Sequence, residues 1–334
     1  MVSNFVCPVC SASDWRSANS YRFQQEAGPS QSFSGLRRQI LFDIWFTGAE
    51  GVELTSVYCD ACGFMCYSPR PTESDLQAKY RYLSEREEIG ALHDRSPRAL
   101  RLDRRRELFM FHAVGRHHPV ASQTVLDVGG GDGRLIRPFL EQGCQCFVVD
   151  FNPHPSPGIQ RLGSTLDDIP PGALFDVIIC SHVLEHVSEP GGFLRRLRSR
   201  LSENGVLYVE VPLEIWRGIP ISGDPVTHVN FFTVDSLRNA LLLNGLKPLS
   251  ARHEISSYDG RYKRVAWAVA SAAETDAAPL PEGGSQMTKA LLQPKALDRM
   301  LRRFEDLWIK DVLNLPPRVS RRLRSLRMLK RSLT

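Results

Sequence analysis

The sequence has no apolar run approaching the roughly 18 residues that a membrane-spanning helix requires, so an integral membrane protein is excluded. The N-terminus lacks a basic start followed by an apolar stretch and a small-residue cleavage site. We therefore expect no secretion signal and a cytoplasmic location. In a reducing compartment, the eight cysteines are expected to be thiols or metal ligands rather than disulfides.

The charge balance shows no large excess of one sign. Lys and Arg together exceed Asp and Glu by five, and seven basic residues near the C-terminus account for more than this excess. The rest of the chain is close to neutral, so a nucleic-acid partner is not indicated. The seven residues are Arg318, Arg321, Arg322, Arg324, Arg327, Lys330 and Arg331.

The chain divides into five segments by composition and pattern. Residues 121–271 alternate apolar strand-like runs with helical stretches, the βαβ rhythm of a largely parallel sheet. Before this segment we predict a loop-rich module and a helical bridge. After it we predict an Ala, Pro and Gly linker and a basic helical extension. The predicted boundaries are 1–71, 72–120, 121–271, 272–290 and 291–334.

A glycine-rich turn follows the first predicted strand of the sheet, at residues 129–133. Glycine permits positive φ and leaves room for a ligand to approach the backbone. The dinucleotide spacing G-x-G-x-x-G is absent, because Arg134 occupies the sixth position counted from Gly129. The turn therefore predicts a nucleotide-like ligand, with NAD disfavoured by the spacing, and a tight turn without a ligand is the alternative.

The spacing of this turn resembles motif I of the class I S-adenosylmethionine-dependent methyltransferases, D-x-G-x-G-x-G. Its defined positions are Asp127, Gly129, Gly131 and Gly133. Segments similar to the family's second, fourth and fifth strands follow in order, so the resemblance covers about residues 123–270. It implies an α/β fold with a Rossmann-like, doubly wound, seven-stranded sheet and S-adenosylmethionine as cofactor.

The resemblance also implies which acidic residues contact the cofactor. Asp150, at the end of the second strand, is expected to accept hydrogen bonds from the ribose hydroxyls. Asp167 or Asp168, after the third strand, is expected to contact the adenine amino group. Only residues 152–158 separate the second and third strands, and the family's usual helix hardly fits there.

Two C-x-x-C pairs in the N-terminal segment predict a zinc site, since four cysteines suit a tetrahedral Zn²⁺ ion. The 48 residues between the two pairs exceed the usual span of a zinc ribbon, and Cys66 is a spare candidate. The arrangement resembles the N-terminal zinc-binding module of sugar C-methyltransferases. Four buried thiols without a metal are the alternative. The predicted zinc ligands are Cys7, Cys10, Cys59 and Cys62.

Methyl transfer needs an aligned acceptor and, for a protonated acceptor, a base, for which histidine is suited near neutral pH. His228 and His182 are the candidate catalytic residues, and His186 matches a structural feature of the family. The segment from His228 resembles a histidine-containing stretch of the sugar methyltransferases. Those C-methyltransferases carry Tyr and Glu where this sequence has Pro225 and Thr227, so oxygen is favoured over carbon as acceptor.

These observations predict a methyltransferase acting on a small molecule such as a nucleotide-linked sugar or saccharide. A scaffold protein with a degenerate methyltransferase fold is one alternative. A nucleic-acid methyltransferase is another, but the Asn- or Asp-Pro-Pro-Tyr type of signature is missing after the fourth strand. The basic C-terminal segment predicts either contact with a membrane or protein, or a solvated helical extension. The sequence predicts no oligomeric state.

Overall fold

The computed structural model of the chain describes residues 5–25, 33–84, 97–215, 225–258, 261–273, 284–292 and 296–309. The basic residues between positions 318 and 331 lie outside the described residues. The strands are β1 (Trp15–Gln24), β2 (Gly51–Cys59), β3 (Met65–Ser68), β4 (Thr124–Val128), β5 (Gln145–Val149), β6 (Ile159–Gly163), β7 (Phe175–Ser181), β8 (Leu201–Pro212), β9 (Asn230–Phe231), β10 (Leu246–Tyr258) and β11 (Arg261–Ala272). The α-helices are α1 (Phe33–Ile40), α2 (Glu73–Ser84), α3 (Pro97–Gly115), α4 (Arg137–Glu141), α5 (Pro190–Arg198), α6 (Val234–Leu243), α7 (Gln286–Leu292) and α8 (Ala296–Leu307).

Seven of these strands form one sheet in the order β10-β11-β8-β7-β4-β5-β6. Strands β4 to β8 are parallel, whereas β11 runs antiparallel to β8 and β10 antiparallel to β11. The chain goes from β4 outward to β5 and β6, then crosses to β7 on the other side. This reversal opens a crevice at the carboxyl ends of the strands, which is where open α/β sheets bind ligands. The predicted Rossmann-like, seven-stranded fold is confirmed.

The central strands are apolar because helices cover both faces of a parallel sheet. In β4, Val125 and Leu126 are fully buried and belong to the cores on opposite faces of the sheet. Ile178 and Ile179 of β7 divide between the same two cores. Side chains alternate along a strand, so a continuous apolar run can serve both faces.

The N-terminal segment is more regular than the loop-rich module that its sequence suggests. Strands β1, β2, β3 and β9 form a four-stranded antiparallel sheet. Strand β9 lies far along the chain from the other three, and its Phe231 and Asn230 pair with Met65 and Cys66. The N-terminal sheet is therefore completed by residues that follow the fifth parallel strand of the larger sheet.

Arg70, which follows β3, binds residues next to β9 and before α5. Its guanidinium donates to the carbonyl oxygens of Val229 and Ser188 at 3.0 and 2.6 Å, and to the side-chain oxygen of Asn230 at 2.6 Å. The same group lies 5.6 Å from the ring centroid of Phe64. A planar guanidinium has five donors in a fixed arrangement, which lets one side chain satisfy several buried acceptors.

The C-terminal helices pack on both sheets. Helix α7 begins inside the predicted linker, and Thr288 donates to the carbonyl of Gly63 beside the second cysteine pair. Helix α8 is held by Arg264 of β11, which pairs with Asp306 at 2.7 Å and Glu305 at 3.2 Å. No helix within the described ranges has the length and apolarity needed to cross a membrane.

The Arg70 contacts predict a large loss of stability in Arg70→Ala. The substitution leaves the carbonyls of Val229 and Ser188 without their donor, so we expect the free energy of unfolding to fall by about 3 kcal/mol. Denaturant titration measures this change. The matched control is Arg22→Ala, which removes an exposed pair to Glu53 at 3.9 Å and should cost less than about 1 kcal/mol. Equal losses in both variants would contradict the assignment.

Candidate functional site

The glycine turn lies at the carboxyl end of β4, in the crevice where the chain reverses. Gly129, Gly131 and Gly133 have φ values of 68°, 63° and 75°, a left-handed backbone that other residues rarely adopt. A β-carbon at Gly131 would meet no protein atom within 4 Å, whereas one at Gly130 would lie 2.1 Å from the carboxylate of Asp127. The turn therefore borders open space at Gly131 and packs tightly on the protein at Gly130.

Asp150 holds the turn from the neighbouring strand. Its two carboxylate oxygens accept from the backbone N–H of Gly131 at 3.0 Å and of Asn152 at 2.7 Å. A carboxylate offers about four lone-pair positions, so both oxygens can accept further hydrogen bonds from a ligand. The acidic residue expected beside the ribose is thus directly attached to the glycine turn.

Asp127 is buried beneath the same turn, with 1% of its surface exposed. Its Oδ2 atom has no hydrogen-bond partner among the described residues. Burial raises the pKa of Asp127 to about 7, with smaller contributions from the carboxylates of Asp150 and Asp132, while Arg106 acts in the opposite direction. An unsatisfied buried acceptor below a ligand-binding turn is consistent with a donor that arrives with the ligand or with water.

The two other predicted cofactor residues have local partners. Asp168 accepts from the backbone N–H groups of Ser164 and Thr165, both at 2.8 Å, and these hydrogen bonds lower its pKa. Asp167 has a side chain that is 82% exposed and lies 2.6 Å from Arg196. The contact of either residue with adenine stays a prediction.

The residues around the turn fit a nucleoside cofactor. The backbone at Gly131 faces open space and has no side chain to block a ligand, and Asp150 supplies acceptors beside it. Phe151 is 70% exposed and stacks on Tyr80 with ring centroids 6.4 Å apart, which places an exposed aromatic pair next to Asp150. S-adenosylmethionine has vicinal hydroxyls and an aromatic base, for which these groups are suitable partners.

A second group of functional side chains lies at the carboxyl ends of β7 and β8, beside the glycine turn. A β-carbon added to Gly129 would lie 2.5 Å from the side chain of Val183, so the two regions are in contact. His182 follows β7 with a φ of 58°, a conformation that is strained for a residue with a β-carbon. The histidine cluster comprises His182, Glu185, His186, Glu214 and His228.

The two later histidines of the cluster are oriented by hydrogen bonds to one ring nitrogen each. The Nδ1 atom of His186 lies 2.7 Å from the carbonyl oxygen of Thr227. The Nδ1 atom of His228 lies 3.0 Å from a carboxylate oxygen of Glu214. The ring centroids of the two histidines are 5.0 Å apart. Both rings are therefore oriented through Nδ1.

Glu185 is the buried acid of the histidine cluster, 1% exposed. Its Oε1 atom lies 3.3 Å from Nδ1 of His182 and 3.7 Å from Nε2 of His186. Burial raises its pKa, but the nearby histidines outweigh burial and lower it to about 2. Burial lowers the pKa of His186 to about 3. At neutral pH the cluster therefore holds a carboxylate and a neutral imidazole side by side.

A buried ion pair between Arg106 and Glu210 lies next to the ring of His182. Arg106 of α3 is 4% exposed and lies 2.8 Å from Glu210 of β8, which is fully buried. Ser181 and Tyr208 also donate to Glu210, each at 2.9 Å, and Nε2 of His182 lies 3.4 Å away. Burial alone would raise the pKa of Glu210, but Arg106 holds it well below its usual range. Sequence reasoning missed this pair, although an acid inside the apolar β8 run was a visible signal.

A cavity of about 460 Å³ opens in front of the histidine cluster. Asp306 of helix α8 and Ile309, two residues beyond the end of that helix, line one side of it, and β11 lines another. The cavity brings His228 and His182 together, as expected for two candidate catalytic residues. The remaining lining residues are Glu185, His186, Pro212, Leu213, Glu214, Tyr262, Lys263 and Arg264.

The four predicted zinc ligands form the cysteine cluster (Cys7, Cys10, Cys59 and Cys62), in which all the sulfur atoms lie within 4.8 Å of one another. The sulfur atoms of Cys7 and Cys62 are 3.7 Å apart, and those of Cys10 and Cys59 are 3.5 Å apart. Four sulfurs around Zn²⁺ at about 2.3 Å would be about 3.8 Å apart, so the residues fit this ion. The pKa of Cys59 is lowered mainly by the thiol of Cys10. Cys66, the spare candidate, lies outside the group.

The cysteine cluster is attached to the helices of the larger sheet. The side-chain amide of Asn239 in α6 donates to the carbonyl of Cys62 at 3.1 Å, and that of Asn244 donates to the carbonyl of Val9 at 3.3 Å. The N–H of Gly191 in α5 donates to the carbonyl of Pro8 at 3.0 Å. Both C-x-x-C pairs are therefore held against the sheet's helices.

Comparison with known proteins identifies the larger sheet. Residues 76–251, more than half of the chain, match the family model described as "Methyltransferase domain". The chain belongs to this methyltransferase family. The class I, S-adenosylmethionine-dependent methyltransferase domain predicted from the glycine turn is confirmed.

Curated relatives of this methyltransferase include ubiquinone biosynthesis O-methyltransferases. The protein from Rhodopseudomonas palustris (strain HaA2) is 28% identical over 109 residues, which cover 29% of this chain and 43% of that protein. The protein from Rickettsia canadensis (strain McKiel) is 26% identical over 133 residues, covering 36% and 54%. The chain thus spans about half the length of the curated relatives it matches. Neither relative is named as a sugar C-methyltransferase, the group that the N-terminal segment with its two C-x-x-C pairs resembles.

Solved structures similar to this methyltransferase have low sequence identity. The 1,6-didemethyltoxoflavin-N1-methyltransferase of Burkholderia thailandensis, bound to its substrate and S-adenosylhomocysteine, is 17% identical with a TM-score of 0.46 and covers 65% of this chain and 96% of that chain. The N-methyltransferase NodS of Bradyrhizobium japonicum, in complex with S-adenosylhomocysteine, is 14% identical with a TM-score of 0.39, covering 54% and 90%.

The geometry of the cysteine cluster predicts one zinc ion per chain. Elemental analysis of protein never exposed to a chelator should find about one zinc, and Cys59→Ser should lose it because three thiolates no longer close the site. Cys66→Ala is the matched control, since this buried cysteine lies outside the cluster and its loss should leave the zinc content unchanged. Far less than one zinc in the unsubstituted protein would contradict the site.

The raised pKa of Asp127 predicts a pH-dependent loss of stability. Between about pH 4 and pH 7 the folded protein keeps a proton on Asp127 that the unfolded chain, with a pKa near 3.8, has released. The free energy of unfolding should therefore fall as pH rises through this window, by on the order of 4 kcal/mol. Denaturant titrations at several pH values should show this component disappear in Asp127→Asn and persist in Glu203→Gln, which removes an exposed carboxylate. Parallel pH profiles for the unsubstituted protein and Asp127→Asn would contradict it.

Proposed function

We propose that this protein transfers the methyl group of S-adenosylmethionine to a hydroxyl oxygen of a small molecule bound in the cavity. The observation that carries the proposal is the contact between the glycine turn and the turn bearing the histidine cluster, through Gly129 and Val183. This contact supports a cofactor site adjacent to the cavity with its titratable groups. Methyl transfer requires this arrangement, because donor and acceptor must lie in line.

The cofactor would be held by the glycine turn and Asp150. The open space at the backbone of Gly131 receives the cofactor, and the remaining lone pairs of Asp150 accept from the ribose hydroxyls. When bound, the cofactor supplies an electrophilic methyl group on a sulfonium and is left as S-adenosylhomocysteine. Asp167 or Asp168 remains our proposal for the contact with adenine.

The histidine cluster would prepare the acceptor. Loss of the hydroxyl proton turns the acceptor oxygen into a stronger nucleophile, and we assign assistance in this step to His228, whose orientation Glu214 fixes. His182 is proposed to contact the acceptor from the other wall of the cavity, where Glu185 and Glu210 hold its ring. All these groups lie at the carboxyl ends of β7 and β8.

Oxygen is the proposed acceptor atom for two reasons. The curated relatives are named O-methyltransferases, and the positions before His228 lack the Tyr and Glu of the sugar C-methyltransferases that the segment resembles. The substrate class to test is a small molecule with a free hydroxyl, including phenols and sugar nucleotides. We propose that the cysteine cluster, with its zinc ion, fixes the N-terminal sheet against α5 and α6.

Calorimetric titration with S-adenosylhomocysteine tests the cofactor site. We expect micromolar binding that Asp150→Ala weakens by roughly 10- to 100-fold, because ribose acceptors and the support of Gly131 are lost together. Glu203→Ala, at an exposed carboxylate in β8, should bind as the unsubstituted protein does. Methyl transfer from labelled cofactor to a panel of hydroxyl compounds then tests the reaction, and His228→Ala should slow transfer while keeping cofactor affinity. Absence of binding by the folded protein would favour the scaffold alternative.

A further inference from the structure

We propose that Glu185, His186 and His228 form a binding site for a divalent transition-metal ion in the wall of the cavity. The three side chains each offer one donor atom, and these atoms all lie within 4.8 Å of one another. Donors bound to one ion at about 2.1 Å are at most about 4.2 Å apart, so a small rotation of an imidazole closes the site. The set of two imidazoles and one carboxylate is a common one for catalytic metal ions.

The hydrogen bonds of the two histidines are those of metal ligands. A ligating histidine usually donates its other ring N–H to a carbonyl or carboxylate, which fixes the tautomer and the direction of the ligating nitrogen. Here Nδ1 of His186 lies at the carbonyl of Thr227, and Nδ1 of His228 lies at the carboxylate of Glu214. Donation from Nδ1 leaves the lone pair of each ring on Nε2.

Glu185 provides a second, independent observation. Its side chain is 1% exposed, and within the described part of the chain its carboxylate makes no well-aligned hydrogen bond. Its contacts with the imidazoles are longer, at 3.3 Å from Oε1 to Nδ1 of His182 and 3.7 Å to Nε2 of His186. A buried carboxylate without hydrogen bonds is costly, since an ion needs paired charges and satisfied lone pairs. A cation at this position would satisfy the carboxylate.

The open side of such a site faces the cavity. Three protein ligands leave coordination positions for water or for an acceptor oxygen. A hydroxyl bound to the ion loses its proton more readily, because the positive charge stabilises the alkoxide or phenolate, and the proton leaves to water in the cavity. This step rests on the proposed function and specifies how His228 assists the acceptor, namely as a ligand of the ion. Binding of the ion does not itself depend on methyl transfer.

Titration with Mn²⁺ followed by electron paramagnetic resonance tests the site on the full-length protein. Mn²⁺ is chosen because it prefers imidazole and carboxylate ligands to thiolates, so the cysteine cluster should not compete for it. In protein exchanged into metal-free buffer without a chelator, so that zinc in the cysteine cluster is kept, we expect one Mn²⁺ per chain with micromolar affinity. Glu185→Gln and His228→Ala should each weaken binding at least about 100-fold, and Glu214→Gln about 10-fold through loss of ring orientation.

The control and the contradicting results are equally specific. His253→Ala, at an exposed histidine of β10, should bind Mn²⁺ as the unsubstituted protein does. Since His228 is only partly buried, its alanine variant tests the site even where Glu185→Gln fails to fold. Absence of Mn²⁺ binding, or binding unchanged in Glu185→Gln and His228→Ala, would overturn the proposal. Mn²⁺ binding without any methyl transfer would leave the metal site standing and remove the proposed function.

Discussion

The ion pair between Arg106 and Glu210 supports the functional edge of the sheet. Glu210 is fully buried in β8, and an unpaired charge there would be strongly destabilising, so α3 must bring Arg106 to it. Once paired, Glu210 accepts from Ser181 and approaches His182, which fixes the end of β7. Helix α3, which precedes the seven-stranded sheet in the sequence, thereby helps to position His182 in the cavity.

A second constraint is the joining of the N-terminal sheet to the methyltransferase domain. Strand β9 completes the N-terminal sheet, and the two residues before β9 include His228. Arg70 binds the carbonyl of Val229, next to this histidine, so the position of His228 depends on both sheets. The cysteine cluster lies against the helices of the larger sheet.

Local patterns explain which features could be predicted from the sequence. The glycine spacing and the apolar strand runs depend on nearby residues, and they indicated β4 to β8, the glycine turn and the two cysteine pairs. The pairing of Asn230 with Cys66 and of Arg106 with Glu210 joins distant segments, for which one sequence has no periodic signal. The loop-rich interpretation of residues 1–71 missed strands β1, β2 and β3, which lie within that segment and pair with one another.

The histidine cluster shows why a local interpretation of one residue can miss its role. His186 resembles a structural histidine in sequence, and its hydrogen bond to Thr227 is compatible with that interpretation. The same bond, however, directs Nε2 toward Glu185, whose carboxylate makes no well-aligned hydrogen bond among the described residues. A purely structural role would leave this buried charge with only imperfect ion pairs to balance it. Because a cation would satisfy the carboxylate and both imidazoles together, the histidine cluster is better explained as a binding site than as packing.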